Sequence, residues 1–446
     1  MSLDVDYLVV GAGAAGMAFT DALVDHDPRA RVALVDRRDG VGGHWRAAYP
    51  FVRLHQSSTF YGVASTLLGG GRIQTVGPEA GLHERADQPT ILAYYEDVLA
   101  RLVGTGRVEL HTGFSYDGDR TALPGHCRVV DARYLAPEVP AETPPRFAVE
   151  GVRVIPVNDL PREQTTPSQY VVVGSGKTAT DACVWLLTHG VDPDAICWVR
   201  PRDPWMLNRA LIQPDPETYL GMVADLMTAA ASATSLDGLF LALEELGIML
   251  RVDRSVTPTM AKAPTLGGWE LELLRSVEHV VRLGHVVSVR PGLLTLDRGS
   301  VALAPDALVV NCAADGLRQP PLVPIWGPEA ITLQPVRAGF PCFGAALVGY
   351  VEATRSDDAT KNRLAPPSPY GNTLEDWARM NVLGTRATTS FNAEPDLRAW
   401  AHTVPLNPAR IPPDHPGSPA LDDALERLAA ATPPALASLQ RLSRSS

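Results

Sequence analysis

The sequence predicts an α/β chain with two Rossmann-like, mostly parallel sheets, the second inserted into a discontinuous first. Three observations carry that prediction. A strand, a glycine turn, a helix and a second strand follow one another from Val5, and the same order recurs from Gln169. Short apolar runs broken by Pro and Gly then join the two units and resume after the second.

The first unit opens with Asp4-Val5-Asp6-Tyr7-Leu8-Val9-Val10, a short apolar run that reads as a buried parallel strand. Gly11-Ala12-Gly13-Ala14-Ala15-Gly16 follows at once, and Met17 to Val24 continues with helical periodicity. Asp27-Pro28 stops the helix, and Arg31 to Asp36 is a second strand ending in an acid. Gly11 permits the tight turn, Gly13 lets backbone amides approach a pyrophosphate, and Gly16 lets the helix pack close to the strand. The helix N-terminus, with Ala14 and Ala15, offers free N–H groups to that pyrophosphate. Asp36 accepts hydrogen bonds from an adenosine ribose, and Arg37 stands beside it.

Composition narrows the function classes. The 446 residues allow two or three domains, and 45% hydrophobic with 20% charged residues is ordinary for a globular protein. A net charge of −11 argues against a general role on nucleic acid or an anionic membrane. Gly, Asp or Pro interrupts every apolar stretch before a membrane span is complete, and an acidic N-terminus enters a strand without a signal peptide. The five cysteines are far apart in sequence, which predicts neither a disulfide framework nor a zinc site, and no metal is expected. A cytoplasmic location with reduced thiols follows.

After Asp36 the chain reads Arg37-Arg38-Asp39-Gly40-Val41-Gly42-Gly43-His44-Trp45-Arg46. Its paired glycines let backbone lie against a ligand, with Trp45 and Arg46 flanking it. The run from GAGAAG through VDRRDGVGGHW to AAYPFVRLHQSSTFYGV resembles the FAD-binding half of flavin-containing monooxygenases and related flavoproteins with two dinucleotide-binding domains. That resemblance implies that Gly42, Gly43 and Trp45 contact FAD and that Gln56 and Ser57 lie near its ring. The family's linker motif, Phe-x-Gly followed by His and an aromatic residue, is missing between Ala148 and Tyr170, so the resemblance is to a divergent branch.

Pro89 to Val103 is an amphipathic helix whose Tyr94 and Tyr95 read as packing residues. Short strands are expected at 107–111, 127–132 and 147–155, with the Pro-rich 136–145 crossing between domains. The opening pattern then repeats: Gln169 to Val173 is a strand, Gly174-Ser175-Gly176-Lys177-Thr178-Ala179 the turn, and Thr180 to His189 the helix. The next strand, Ala195 to Val199, ends in Arg200-Pro201-Arg202, and Arg200, 26 residues past Gly174, takes the place that Asp36 holds in the first unit. Guanidinium groups at that tip suit a 2′-phosphate, as an acid suits a free ribose hydroxyl. The first site is therefore read as FAD and the second as NADPH. Gly-x-Gly-Lys-Thr is not a triphosphate loop, because Val171 stands where that motif needs glycine.

The resulting domains are 1–165 (FAD, first part), 166–312 (NADPH, with a helical insertion at about 203–268) and 313–446 (FAD, returning part, and tail). The insertion is expected to hold helices at 216–231 and 235–250, with Met222, Met227 and Met249 as core filler. Ala307 to Gly316 reads as the strand and turn that closes the second domain, and the tail as carrying one helix, 420–431.

FAD and NADPH on adjoining domains give hydride transfer from nicotinamide to flavin. With no local cysteine pair to take the electrons, the common outlet is dioxygen, through a flavin hydroperoxide that inserts one oxygen atom into a small organic substrate. A flavin-dependent reductase, an amine or imine oxidase, and a non-catalytic NADPH sensor remain alternatives. Arg46 and Arg209 are the catalytic candidates, as cations near reduced flavin or nicotinamide. His44, His55 and His111 read as structural or surface groups. Nothing in the sequence fixes whether the chain forms a homo-oligomer.

Overall fold

A computed structural model describes residues 4–121, 123–314 and 317–444 of the chain. The opening apolar run forms β1 (Tyr7–Val10), and α1 (Ala14–His26) begins directly after Gly13. Every residue of α1 from Gly16 to Val24 is buried, as befits a helix covered on all sides. β2 (Val32–Asp36) follows, then α2 (Gln88–Gly104), whose N-terminus is capped by the Asp87 carboxylate accepting from Thr90 N–H. β3 (Val108–Thr112) and β4 (Arg128–Asp131) complete a parallel run in the order β4-β1-β2-β3. The glycine turn thus leaves β1 where the strand order reverses, the usual ligand position of such a sheet.

The stretch expected as one strand at 147–155 is two, β5 (Ala148–Val149) and β6 (Arg153–Pro156), parted by a turn at Gly151. The second unit then forms as read: β7 (Tyr170–Val173), α3 (Lys177–Thr188) and β8 (Ile196–Val199). The insertion holds β9 (Pro204–Asn208), α4 (Pro216–Ser232), α5 (Leu236–Glu245), β10 (Met249–Leu250), β11 (Met260–Leu266) and α6 (Gly268–Arg275). Its second helix is shorter than expected: Gly247 turns the chain, and Met249–Leu250 pairs with β9 instead. Met222, Met227 and Met249 are buried among apolar residues, in keeping with their reading as filler.

β12 (Val280–Val281) rejoins the second sheet beside β8, and β13 (Val286–Arg290), β14 (Leu293–Leu296) and β15 (Gly299–Ala302) form a side sheet with β5. β16 (Leu308–Asn311) inserts between β7 and β6, giving the parallel order β12-β8-β7-β16-β6. Asp315 and Gly316 of the expected closing turn lie outside the described residues.

β17 (Ile331–Thr332) then pairs with β4, so the chain returns to the first sheet after completing the second. α7 (Pro341–Thr354) lies so close on α1 that a Cβ at Gly349 would run into the Phe19 carbonyl oxygen. α8 (Asp358–Leu364), α9 (Leu374–Asn392) and α10 (Pro395–Thr403) follow. The tail helix α11 (Pro419–Leu442) is about twice the expected length and continues through Pro433 and Pro434. It packs along α4, with Ser438 Oγ donating to the Ala233 carbonyl at 3.0 Å and Arg427 paired to Asp225. Among the described residues, no helix is long and apolar enough to cross a membrane.

Candidate functional site

The first glycine turn is held from both sides. Gly11 has φ +107°, open only to glycine, and a Cβ at Gly16 would strike the Gly11 carbonyl oxygen, so α1 needs both residues to start where it does. The Gly42-Gly43 pair folds back onto this turn: Gly42 N–H donates to Ala12 O at 3.0 Å, and a Cβ on Gly13 would stand 3.3 Å from Gly43 Cα. Gly11, Gly13, Ala14 and Ala15 remain half-buried and reach the surface. The Asp36 carboxylate is drawn inward, accepting from Ala12 N–H at 2.8 Å and Arg38 N–H at 2.9 Å. Each of its oxygens keeps a lone pair for a further donor. Beside it, Arg37 and Arg38 both pair with Glu142 of the crossing segment.

The second turn is more open. Gly174 has φ +136° and sits against the Cys312 carbonyl, whereas a Cβ on Gly176 would meet nothing within 4 Å. Ser175, Gly176, Lys177 and Thr178 are half-buried, and Gly174 and Ala179 are buried beneath them. Space above Gly176 and the free N–H groups opening α3 fit a pyrophosphate. The opposed Gly13 and Gly43 likewise fit backbone lying along a dinucleotide.

From Lys177 of the second turn runs a cluster that, beyond its first pair, the sequence does not announce. Lys177 Nζ donates to Asp181 Oδ1 one helical turn on, and to Glu270 Oε1 of α6 at 3.5 Å. Tyr49, from the segment after Trp45, donates its hydroxyl to Asp181 Oδ2 at 2.6 Å. Glu270 also accepts from Arg209 at 2.7 Å, Arg209 pairs with Glu79, and Glu79 takes Arg85 at 2.7 Å. Three cations thus face three carboxylates in a chain joining residues 49–85, α3 and the insertion. Burial favours the neutral form of Glu79, but Arg85 and Arg209 hold its carboxyl down at about 2. Burial, reinforced by Lys177, Arg209 and Arg85, pushes His55 down to about 3, and burial with Arg38 pushes His44 down to about 4. Both imidazoles are neutral near pH 7.

Arg200 and Arg209 sit differently from their sequence reading. Arg209 is 1% exposed, and all three guanidinium nitrogens are engaged by Glu79, Glu270, Thr265 and the His55 carbonyl. It clamps the insertion to the first half and has no face turned to a ligand. Arg46 pairs with Asp39 and Glu96 and packs over Gly40, bracing the 39–43 loop at the edge of a cleft of about 390 Å³ that Gln88, Asn158 and Arg162 also line. Arg200 turns inward, pairing with Asp203 at 2.6 Å over the Trp198 ring, while Arg202 is exposed at the same strand tip. Trp45 is buried against Tyr61, its indole N–H donating to the Tyr61 hydroxyl at 2.6 Å. Gln56 and Ser57 are also buried, and Ser57 Oγ caps the short turn that follows it. The Lys177–Asp181 pair was detectable as an i, i+4 helix pair. Tyr49 carries no local signal, and Glu79 and Glu270, which have local partners in Arg85 and the Gly267 N–H, are joined to Arg209 and Lys177 only by the fold.

Two parallel sheets, each with a glycine turn at its switch point, define a protein with two dinucleotide-binding domains. A family model described as an NAD(P)-binding Rossmann-like domain matches residues 9–61. The adenosine diphosphate half is common to FAD and NAD(P), so this match bears on the turn and not on which dinucleotide fills it. In fold the chain is similar to a solved oxidized steroid monooxygenase bound to NADP, with TM-score 0.50 and 14% identity over 78% of this chain and 84% of that one. Uncharacterized protein Rv2000 of Mycobacterium tuberculosis (strain ATCC 25618 / H37Rv) and uncharacterized protein Mb2023 of Mycobacterium bovis (strain ATCC BAA-935 / AF2122/97) are each 42% identical over 421 residues. Those alignments cover 91% of this chain and 78% of each relative, and the chain belongs to the family of these mycobacterial proteins.

Proposed function

We propose that the protein is an FAD- and NADPH-dependent oxidoreductase, and within that class a monooxygenase acting on a small organic molecule with dioxygen. The observation that carries the reading is the pair of glycine turns at two switch points, linked by the Tyr49–Asp181 hydrogen bond. The steroid monooxygenase similar in fold, which has NADP bound, supports the same direction. Bound FAD would take hydride from NADPH and pass electrons to dioxygen; this chain's residues position the two cofactors and exclude water.

In this reading Gly11, Gly13, Ala14, Ala15 and Gly16 take the FAD pyrophosphate, and Asp36 and Arg37 its adenosine end. Gly42 and Gly43, packed on that turn, and Trp45 extend the same cradle, with Gln56 and Ser57 nearer the ring. Gly174 to Ala179 take the NADPH pyrophosphate. At the strand tip, exposed Arg202 meets the 2′-phosphate, and Arg200, stacked on Trp198, stiffens the tip behind it. Domain limits of 1–165, 166–312 and 313–446 belong to this proposal, as does a cytoplasmic location.

The test is the spectrum of the purified protein. It should carry a flavin absorption band that NADPH bleaches without air, with oxygen then consumed and substrate oxygenated in proportion. Colourless protein, or a band indifferent to NADPH, would overturn the reading; complete conversion of oxygen to peroxide across a substrate panel would reduce it to an oxidase. Arg202→Ala should raise the KM for NADPH by about tenfold or more and leave that for NADH nearly unchanged.

A further inference from the structure

Lys177 is the one cation within the second glycine turn, yet its ammonium is held by protein carboxylates, Asp181 and Glu270. The same Asp181 accepts the hydroxyl of Tyr49, which belongs to the segment that follows the first turn's Gly42-Gly43 cover. Tyr49 is nearly buried and packs on Phe51, which stacks on Trp185 of α3, so its ring is fixed against the second unit. Asp181 is thus the only described carboxylate bonded both to a glycine-turn cation and to a side chain of the first half.

Resting on the FAD and NADPH reading above, we propose that Asp181 is a positioning residue that parks Lys177 until a dinucleotide pyrophosphate takes the ammonium, and that Tyr49 carries that exchange to the first cradle. The charge balance makes the exchange selective. The cluster is neutral, with Lys177, Arg209 and Arg85 against Asp181, Glu270 and Glu79. An incoming pyrophosphate competes with Asp181 for a single ammonium, and Glu270 keeps Arg209 when Lys177 leaves. Asp181, released from Lys177, turns its remaining interaction onto Tyr49. The device taxes binding at the second turn and reports occupancy to the first.

The sign of one substitution separates this from a purely structural ion pair. In flavin-loaded protein titrated with NADP+ and followed by tryptophan fluorescence, Asp181→Asn should lower Kd by about three- to tenfold, because Lys177 is no longer contested. Lys177→Gln should raise it by a similar factor. Glu270→Gln, which removes the other competing carboxylate but leaves Arg209 paired with Glu79, should also tighten binding, with urea denaturation of both variants showing that they fold. NADP+ binding should shift the flavin band in wild type, and Tyr49→Phe should abolish that shift while changing Kd less than twofold. Unchanged or weaker binding in both carboxylate variants, with wild type binding normally, would overturn this inference alone. Wild-type protein that neither carries flavin nor binds NADP+ would overturn the proposed function and this inference together.

Discussion

Adding one methyl group at Gly176 separates ligand binding from folding. Gly176 precedes α3 with φ −89° and ψ −175°, backbone that alanine adopts without strain. Its new Cβ would meet no atom within 4 Å. Any loss of capping quality is offset by the lower conformational freedom of the unfolded alanine chain, worth about 0.4–1 kcal/mol. Stability should therefore stay within about 1 kcal/mol of wild type. A pyrophosphate resting on the N–H groups opening α3 would be pushed out by roughly 1 Å and lose one charge-assisted hydrogen bond, about 1.5–3 kcal/mol. That predicts a Kd for NADP+ raised by about 10- to 100-fold, read by fluorescence titration. Gly174→Ala is the counterpart. With φ +136° and the Cys312 carbonyl oxygen 3.1 Å from the added Cβ, it should cost about 2–4 kcal/mol by urea denaturation. Trp198, whose indole N–H donates to Gly174 O at 2.8 Å, is a local fluorescence reporter of that change. Wild-type affinity in Gly176→Ala protein would refute the placement of a pyrophosphate on this turn.

Two further outcomes follow from the buried cluster. Arg209→Met should destabilise by about 3–5 kcal/mol in urea, because it strips a cation from Glu79 and Glu270 at once; normal stability with flavin reduction by NADPH abolished would restore Arg209 to the chemistry. Glu79 is held at about 2 against an ordinary 4.5, so its contribution is full above pH 4.5 and is lost as pH falls through about 2. Glu79→Gln should flatten the decline in melting temperature across that acid window, and a decline of wild-type slope would contradict the assignment.

The βαβ units were legible because their signals are local: a four- or five-residue apolar strand, glycines at fixed spacing, and an acid or arginine at the next strand tip. The switch-point position of Gly11 and Gly174 was not, since it depends on β4 and β16 pairing on the far sides of β1 and β7. Side-chain direction was not legible. Arg200 and Asp36 occupy matching strand tips, but Asp203 three residues on and Trp198 two residues back draw the guanidinium inward. Arg209 read as a free cation because Glu79 and Glu270 are remote in sequence, on elements only the fold brings together. The tail helix was cut short at Ala431 because Pro433 and Pro434 ordinarily end a helix. Burial of Ala435, Leu439 and Leu442 carries it beyond them. α9 and α10 lay outside the expectations altogether, although Thr373 and Asp376 form a capping box at the start of α9.

The seating of α11 along α4 also bears on how the protein is made. α4 is complete at Ser232, but its covering helix is not finished until Leu442. At ribosomal speed the delay is roughly 10–40 s, during which the apolar flank of the insertion waits without its lid. A nascent chain in that interval is a natural client for chaperones, and premature termination before residue 419 would release a polypeptide with that flank permanently bare.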